Sequence, residues 1–235
     1  MSAEMHRVRF TGGGKPCAST GLFHFSRPPG YSFTAGQYFS LTLHTGEGVQ
    51  TKQFTHCDAP GDTETDLLTR MTGSAFKNAL AALRVGETVE FSGPSGVLVL
   101  PEGVERAAFL VGGVGITPMR SIVRDAVLRS TGLTALVFDG NADEACIPFR
   151  EEFDGWACDH PSIDFVHVLE HPSAHWTGER GFISPDTVMR HCDPHEGWHW
   201  FVSGPPMMVE AMRAVLTSLD VDGSHSSFES FTGYR

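Results

Sequence analysis

Two glycine-bearing turns carry the residues best suited to chemistry in this chain. "FLVGGVGITPMRSIV", Phe109 to Val123, reads as an apolar strand, a glycine-rich turn and a helix opening at or near Pro118. Gly112, Gly113 and Gly115 let backbone N–H groups approach a ligand closely, and a helix N-terminus adds unpaired donors and a positive dipole, so the turn is a good seat for a pyrophosphate. The pattern is neither G-x-G-x-x-G nor a P-loop, and a plain strand-to-helix turn would look similar. "FVSGPPMMVEAM", Phe201 to Met212, repeats the design with Ser203, Gly204 and Pro205 at a later strand end. Its prolines suit a first helical turn. Met207, Met208 and Met212 read as core filler.

Both turns need strands to end at one edge. From about residue 103 onward, apolar runs alternate with helical ones: "AAFLVGG", "TPMRSIVRDAVLRS", "TALVFDG", "FREEFDGWACD", "SIDFVHVLE", "WHWFVSG" and "PPMMVEAMRAVLTSL". Such alternation predicts a parallel sheet covered on both faces, and ligands of doubly wound sheets sit at the carboxyl ends of the strands. Before "LPEGVERA" the texture differs. "GLFHFS", "GQYFSLTLH", "TKQFTH", "DLLTRM", "ETVEFSGP" and "GVLVL" are short strands punctuated by Gly and Pro, which predicts an antiparallel barrel. One helix interrupts them at "SAFKNALAALRVG", with Ser74 as N-cap and Gly86 past its end. The expected organisation is therefore a β-barrel domain over residues 1–102 and an α/β domain over 103–235.

The chain has 235 residues and a formal net charge of -11, which argues against nucleic acid and anionic membrane as partners. Five scattered cysteines form no C-x-x-C pair, and no apolar run reaches the ~20 residues of a membrane span. With no signal-peptide pattern in "MSAEMHRVRF", the reading is cytoplasmic.

Five stretches, "KQFT" (52–55), "GSAFKNAL" (73–80), "GGVGITPM" (112–119), "SGPPMMV" (203–209) and "ESFTGY" (229–234), stand in the order of the ferredoxin-NADP reductase-like superfamily, which the chain resembles over nearly its whole length. The resemblance implies an N-terminal antiparallel β-barrel binding FAD and a C-terminal Rossmann-like domain binding NADH or NADPH. "KQFT" resembles the family's R-x-Y-S flavin motif: Phe54 would lie against the flavin, Thr55 would place a hydroxyl near its N5, and Lys52 takes the place of an Arg on the phosphates. In "GSAFKNAL" the residues Gly73, Ser74, Ala75, Phe76 and Lys77 match the helix start that faces the FAD pyrophosphate. Gly112, Gly113, Gly115, Thr117 and Pro118 match the seat of the dinucleotide phosphates, and Gly204 and Pro205 border the nicotinamide. Ser203 stands where several members carry Cys. Glu229 and Phe231 match a terminal acidic-x-aromatic element whose ring shields the flavin, with Tyr234 as the rival aromatic. Thr55, Ser203 and Glu229 are thereby placed at the reacting centre.

The activity implied is an FAD-dependent NAD(P)H oxidoreductase passing electrons to a separate ferredoxin, flavodoxin or oxygenase component, or to a small molecule. A low-turnover FAD-binding sensor or regulatory module is the alternative. Asp139, Asp143 and Glu144, after the second strand, would repel a 2'-phosphate and favour NADH, while Arg150, Arg180 and Arg190 keep NADPH open. His191, His195 and His199 fall at spacing four, but Pro194 and Gly197 break the helix that a metal face would need, and no metal is expected.

Overall fold

Strand β1 (Met5–Gly14) turns Val8 and Phe10 inward and Arg7 and Arg9 outward, the period of a half-buried strand. It pairs antiparallel with β2 (Thr20–Ser26) on one side and β6 (Thr88–Ser95) on the other. With β3 (Tyr38–Thr45), β4 (Gly48–Thr55) and β5 (Glu64–Arg70) these strands make a six-stranded sheet in the order β4-β3-β6-β1-β2-β5. The computed structural model describes residues 5–231, so Tyr234 lies outside the described residues. Inward side chains from five of these strands, among them Val8, Phe25, Phe39, Leu67 and Phe91, meet in one core, which curls the sheet into a barrel. Helix α1 (Ala75–Ala81) adds Phe76 and Leu80 to that core. Ser74 caps it, accepting from Lys77 N at 3.4 Å.

The second sheet is parallel throughout, in the order β10-β9-β8-β7-β11-β12. Its elements are β7 (Arg106–Gly112), α2 (Ile116–Arg129), β8 (Thr134–Asn141), α3 (Arg150–Asp159), β9 (Ile163–Leu169), β10 (Glu179–Arg180), α4 (Pro185–His191), β11 (His199–Gly204), α5 (Pro206–Ser218) and β12 (Ser226–Ser230). Every residue of β11 is buried, because both faces of the sheet are covered. Phe109, Val111 and Phe201 pack under α2 and α3; Leu110, Trp200 and Val202 pack under α5. The strand order reverses between β7 and β11, and at that switch point a crevice opens at Gly112 and Pro205.

Two expectations need correction. "GVLVL" (96–100) forms no strand: Gly96 turns the chain at φ +102° and Val97 is 92% exposed. The helix α2 does open near Pro118, at Ile116, after a 3-10 turn over Gly113–Gly115. Of the three methionines, Met212 is core, Met208 is half-buried and Met207 is 88% exposed, because the first turn of α5 projects past the sheet edge.

Candidate functional site

At the switch point the glycines are there for room. A Cβ on Gly115 would lie 2.2 Å from the Ser203 carbonyl oxygen, and one on Gly112 would lie 2.3 Å from Met208 Sδ. Gly113 adopts φ +54°, which an L side chain rarely takes. Ser203, buried at the end of β11, donates its hydroxyl to the Gly115 carbonyl at 2.6 Å, so β11 and the glycine turn are stitched together. Thr117 is buried and donates to Val114 O at 3.1 Å; its hydroxyl serves its own turn, and Pro118 is buried beside it. Pro205 is exposed at the rim.

Strand β12 brings the C-terminal residues to this crevice. Its register sets Glu229 beside Ser203 and Ser230 beside Gly204, and the Phe231 amide donates to Gly204 O at 2.9 Å. From the barrel, the last residue of β4 arrives: Thr55 Oγ1 lies 3.5 Å from Glu229 Oε2, the outer limit of a hydrogen bond. Burial pushes the Glu229 carboxyl up to about 7, against the lowering effect of the Thr55 hydroxyl. Phe54, one residue earlier, has its ring 5.8 Å from that of Phe76. Thr55, Ser203 and Glu229 therefore meet at one seam between barrel and sheet.

Around the start of α1 positive charge accumulates. Burial lowers the Lys77 ammonium pKa, and the positive charges of Arg70 and Lys52 lower it further, so three cations gather where the first turn of α1 carries no acid. Gly73, at φ +76°, leads into this turn and Ala75 opens the helix. In a chain of net charge -11, such a cluster suits a bound pyrophosphate. Arg70 was not among the residues singled out from sequence, although its place at the end of β5, three residues before "GSAF", puts it beside that motif.

A cavity of about 650 Å³ runs from Arg70 on the barrel, past Gly112 and Gly113, to Asn141, Glu170 and Met208. Asn141 is 9% exposed and its Nδ2 has no partner among the described residues, so a buried donor stands at this cavity unsatisfied by them. The acids expected to choose the nucleotide stand next to residues of this cavity without lining it themselves. Asp139 is fully buried, within 3.1 Å of His167 Nδ1 on the neighbouring strand; Asp143 precedes a 3-10 turn at Glu144–Cys146; and Glu144 accepts from Ser173 N at 3.0 Å. Arg150 stands over the Trp176 ring, Arg180 donates to Trp176 O, and Arg190 holds Glu179. Glu170, which follows β9, is the carboxylate that lines the cavity.

The histidines are dispersed: His191 contacts Glu179 at 2.9 Å, and His199 contacts Ser227 Oγ at 2.9 Å. Among the described residues no group of His, Cys, Asp and Glu forms a metal cluster, and no helix is long and apolar enough to cross a membrane. The described cysteines are free.

Residues 109–214 match the model of the oxidoreductase NAD-binding domain family. NADH-cytochrome b5 reductase 1 of Neosartorya fischeri is 32% identical over 151 residues, which are 60% of this chain and 48% of that protein. The chain spans about half the length of the curated relatives it matches. The fold is that of the cytochrome b5 reductase domain of Ulva prolifera nitrate reductase (TM-score 0.84, 24% identity, 96% of this chain and 97% of that one). It is equally that of a ferredoxin NADP+ reductase from Neisseria gonorrhoeae solved with bound FAD and NADP (TM-score 0.82, 19% identity, 97% and 99%).

Proposed function

We propose that the chain, which belongs to the ferredoxin-NADP reductase-like superfamily, is an FAD-dependent NAD(P)H oxidoreductase that passes electrons to a separate acceptor. The observation that carries this reading is the convergence of Thr55 from the barrel with Ser203 and Glu229 from the parallel sheet, beside the glycine turn that starts α2. The residues present fit both cofactors: three cations at the start of α1 suit the FAD pyrophosphate, and the glycine turn, with the Asn141 amide beyond it unpartnered among the described residues, suits a dinucleotide. When bound, the flavin supplies the chemistry of taking a hydride and releasing electrons one or two at a time.

The protein's own residues position and polarise. Lys52, Arg70 and Lys77 offset phosphate charge. Ser203 fixes the glycine turn against β11 through Gly115 O, so both ends of the nicotinamide seat move as one body. Thr55 presents a hydroxyl at the seam, and Glu229, with a carboxyl pushed up to about 7, holds or gives up a proton beside it near neutral pH. Among the described residues of the tail, Phe231, tied through its amide to Gly204 O, is an aromatic residue placed here.

Glu170 supports NADH as the coenzyme, since a carboxylate accepts from ribose hydroxyls and repels a 2'-phosphate. The names of the cytochrome b5 reductase relatives point the same way. A redox protein is the acceptor this reading favours, with a small molecule as the competitor. The test is to purify the protein, record its visible spectrum and add NADH or NADPH anaerobically. A yellow protein bleached faster by NADH is expected; a yellow protein bleached by neither overturns the enzyme reading, and a protein that cannot be loaded with FAD overturns the flavin as well.

A further inference from the structure

Helix α2 begins at the glycine turn and then lays one face on the barrel. Arg120, Ser121 and Arg124, at i, i+1 and i+4, all reach the segment 56–63 that joins β4 to β5. Arg120 Nη1 donates to the Cys57 carbonyl, Ser121 Oγ donates to Asp58 O at 2.6 Å, and Arg124 clasps Asp62 at 2.7 and 2.9 Å. Glu152 on α3 braces both arginines, taking the Arg120 fork at 2.7 and 3.0 Å and Arg124 Nη1 at 3.2 Å. Arg120 is 7% exposed, lies over the Phe149 ring at 4.3 Å and has Asp66 at 3.6 Å. The segment is also pinned from its own side, where Asp58 meets Arg27, His56 Nδ1 at 3.1 Å and Asp66 N at 2.9 Å.

Cys57 is two residues beyond Thr55, and α2 starts one residue beyond Gly115, whose carbonyl holds Ser203. One helix therefore grips both halves of the reacting centre: Ser203 at its first turn, and the chain leaving Thr55 one turn later. We infer that Arg120 is a positioning residue, setting where the Thr55 hydroxyl stands relative to the nicotinamide seat by holding the Cys57 carbonyl against α2. The inference rests on the oxidoreductase reading for its kinetic part and on geometry alone for its mechanical part. A planar fork satisfies Cys57 O and both Glu152 oxygens at once, which the point charge of Lys does not reproduce.

Two measurements on Arg120→Met and Arg120→Lys test it, each against the wild-type chain with and without FAD. Amide hydrogen exchange should speed up in residues 56–63 and stay unchanged in 73–81. The rate of flavin reduction at saturating NADH should fall about tenfold or more in Arg120→Met and less in Arg120→Lys, with FAD content and the NADH dissociation constant within about twofold of wild type, since an ångström of misplacement costs rate and not binding. Arg120→Lys carries the test if Arg120→Met does not fold. Unchanged exchange overturns the mechanical claim, and faster exchange with an unaltered reduction rate overturns the positioning role. A loss of FAD or NADH binding in step with the rate overturns it in favour of general packing. If wild-type protein is reduced by neither nucleotide, the oxidoreductase reading fails while the exchange comparison still decides whether Arg120 holds the loop.

Discussion

Glu229 Oε2 and Thr55 Oγ1 are 174 residues apart in the chain and 3.5 Å apart in space, and they face each other across the seam between barrel and parallel sheet. No cation is among the groups that set the Glu229 carboxyl; burial and one hydroxyl do.

That isolation makes stability depend on pH in a definite direction. The ordinary carboxyl value is 4.5, while the folded one is about 7, so between these the unfolded chain has released a proton that the folded chain keeps. The folded state binds more protons there, and its stability falls as pH rises through that window and is flat above it. Glu229→Gln should remove the fall, leaving the variant on the order of 1–3 kcal/mol more stable relative to wild type at pH 8 than at pH 5. Urea unfolding of flavin-free protein at both pH values measures it; an equal difference at the two refutes the assigned titration.

The Ser203 hydroxyl is engaged with Gly115 O at 2.6 Å, so a thiol at this position would weaken the stitch between β11 and the glycine turn. Ser203→Cys should change the rate of flavin reduction by NADH while leaving FAD content untouched. Stopped-flow absorbance under anaerobic conditions reads this directly, and an unaltered rate would remove the nicotinamide from this turn.

A methyl group at Gly115 meets backbone, which cannot yield as a flexible side chain would. Gly115→Ala should cost about 1–3 kcal/mol of stability by overpacking and weaken nicotinamide nucleotide binding. Calorimetry and nucleotide titration check the two effects, and wild-type values in both would show that the close approach to Ser203 is not needed.

Arg70 contributes to lowering the Lys77 pKa, which places their charges close together beside the start of α1. Arg70→Gln should weaken FAD binding about tenfold, or about 1.4 kcal/mol, and make it less sensitive to salt. Flavin fluorescence quenching on titrating the apoprotein at two ionic strengths would show this; unchanged affinity would place the phosphates elsewhere.

Glu170 lines the cavity with Asn141. Glu170→Ser should lower the preference for NADH over NADPH at least about tenfold in kcat/KM, the effect of removing one repulsive charge from a ribose site. Equal preference in both proteins would return the choice of coenzyme to other residues.

Much of this was legible beforehand because the signals were local. Ser74 announced its helix by cap chemistry, and the change from short Gly-punctuated strands to strand–helix alternation announced the change of architecture. What escaped depends on partners distant in sequence. Strand β12 is built of Ser226, Ser227, Phe228, Glu229 and Ser230, a polar run whose extended form comes from pairing with β11. Asp139 had the right chemistry for a ribose, yet register sets it beside His167, and no inspection of "VFDGNADE" shows that. The docking face of α2 escaped for the same reason, since Arg120 and Arg124 read alone as ordinary helix charges.

The pairing of β12 with β11 has a practical side. It carries the chain past Ser203 and leaves Phe231 bonded to Gly204, so the last described residue lies against the end of β11, beside Pro205. A bulky label placed at position 231 would therefore press on this seam, and comparing the kinetics of labelled and unlabelled protein would report on it.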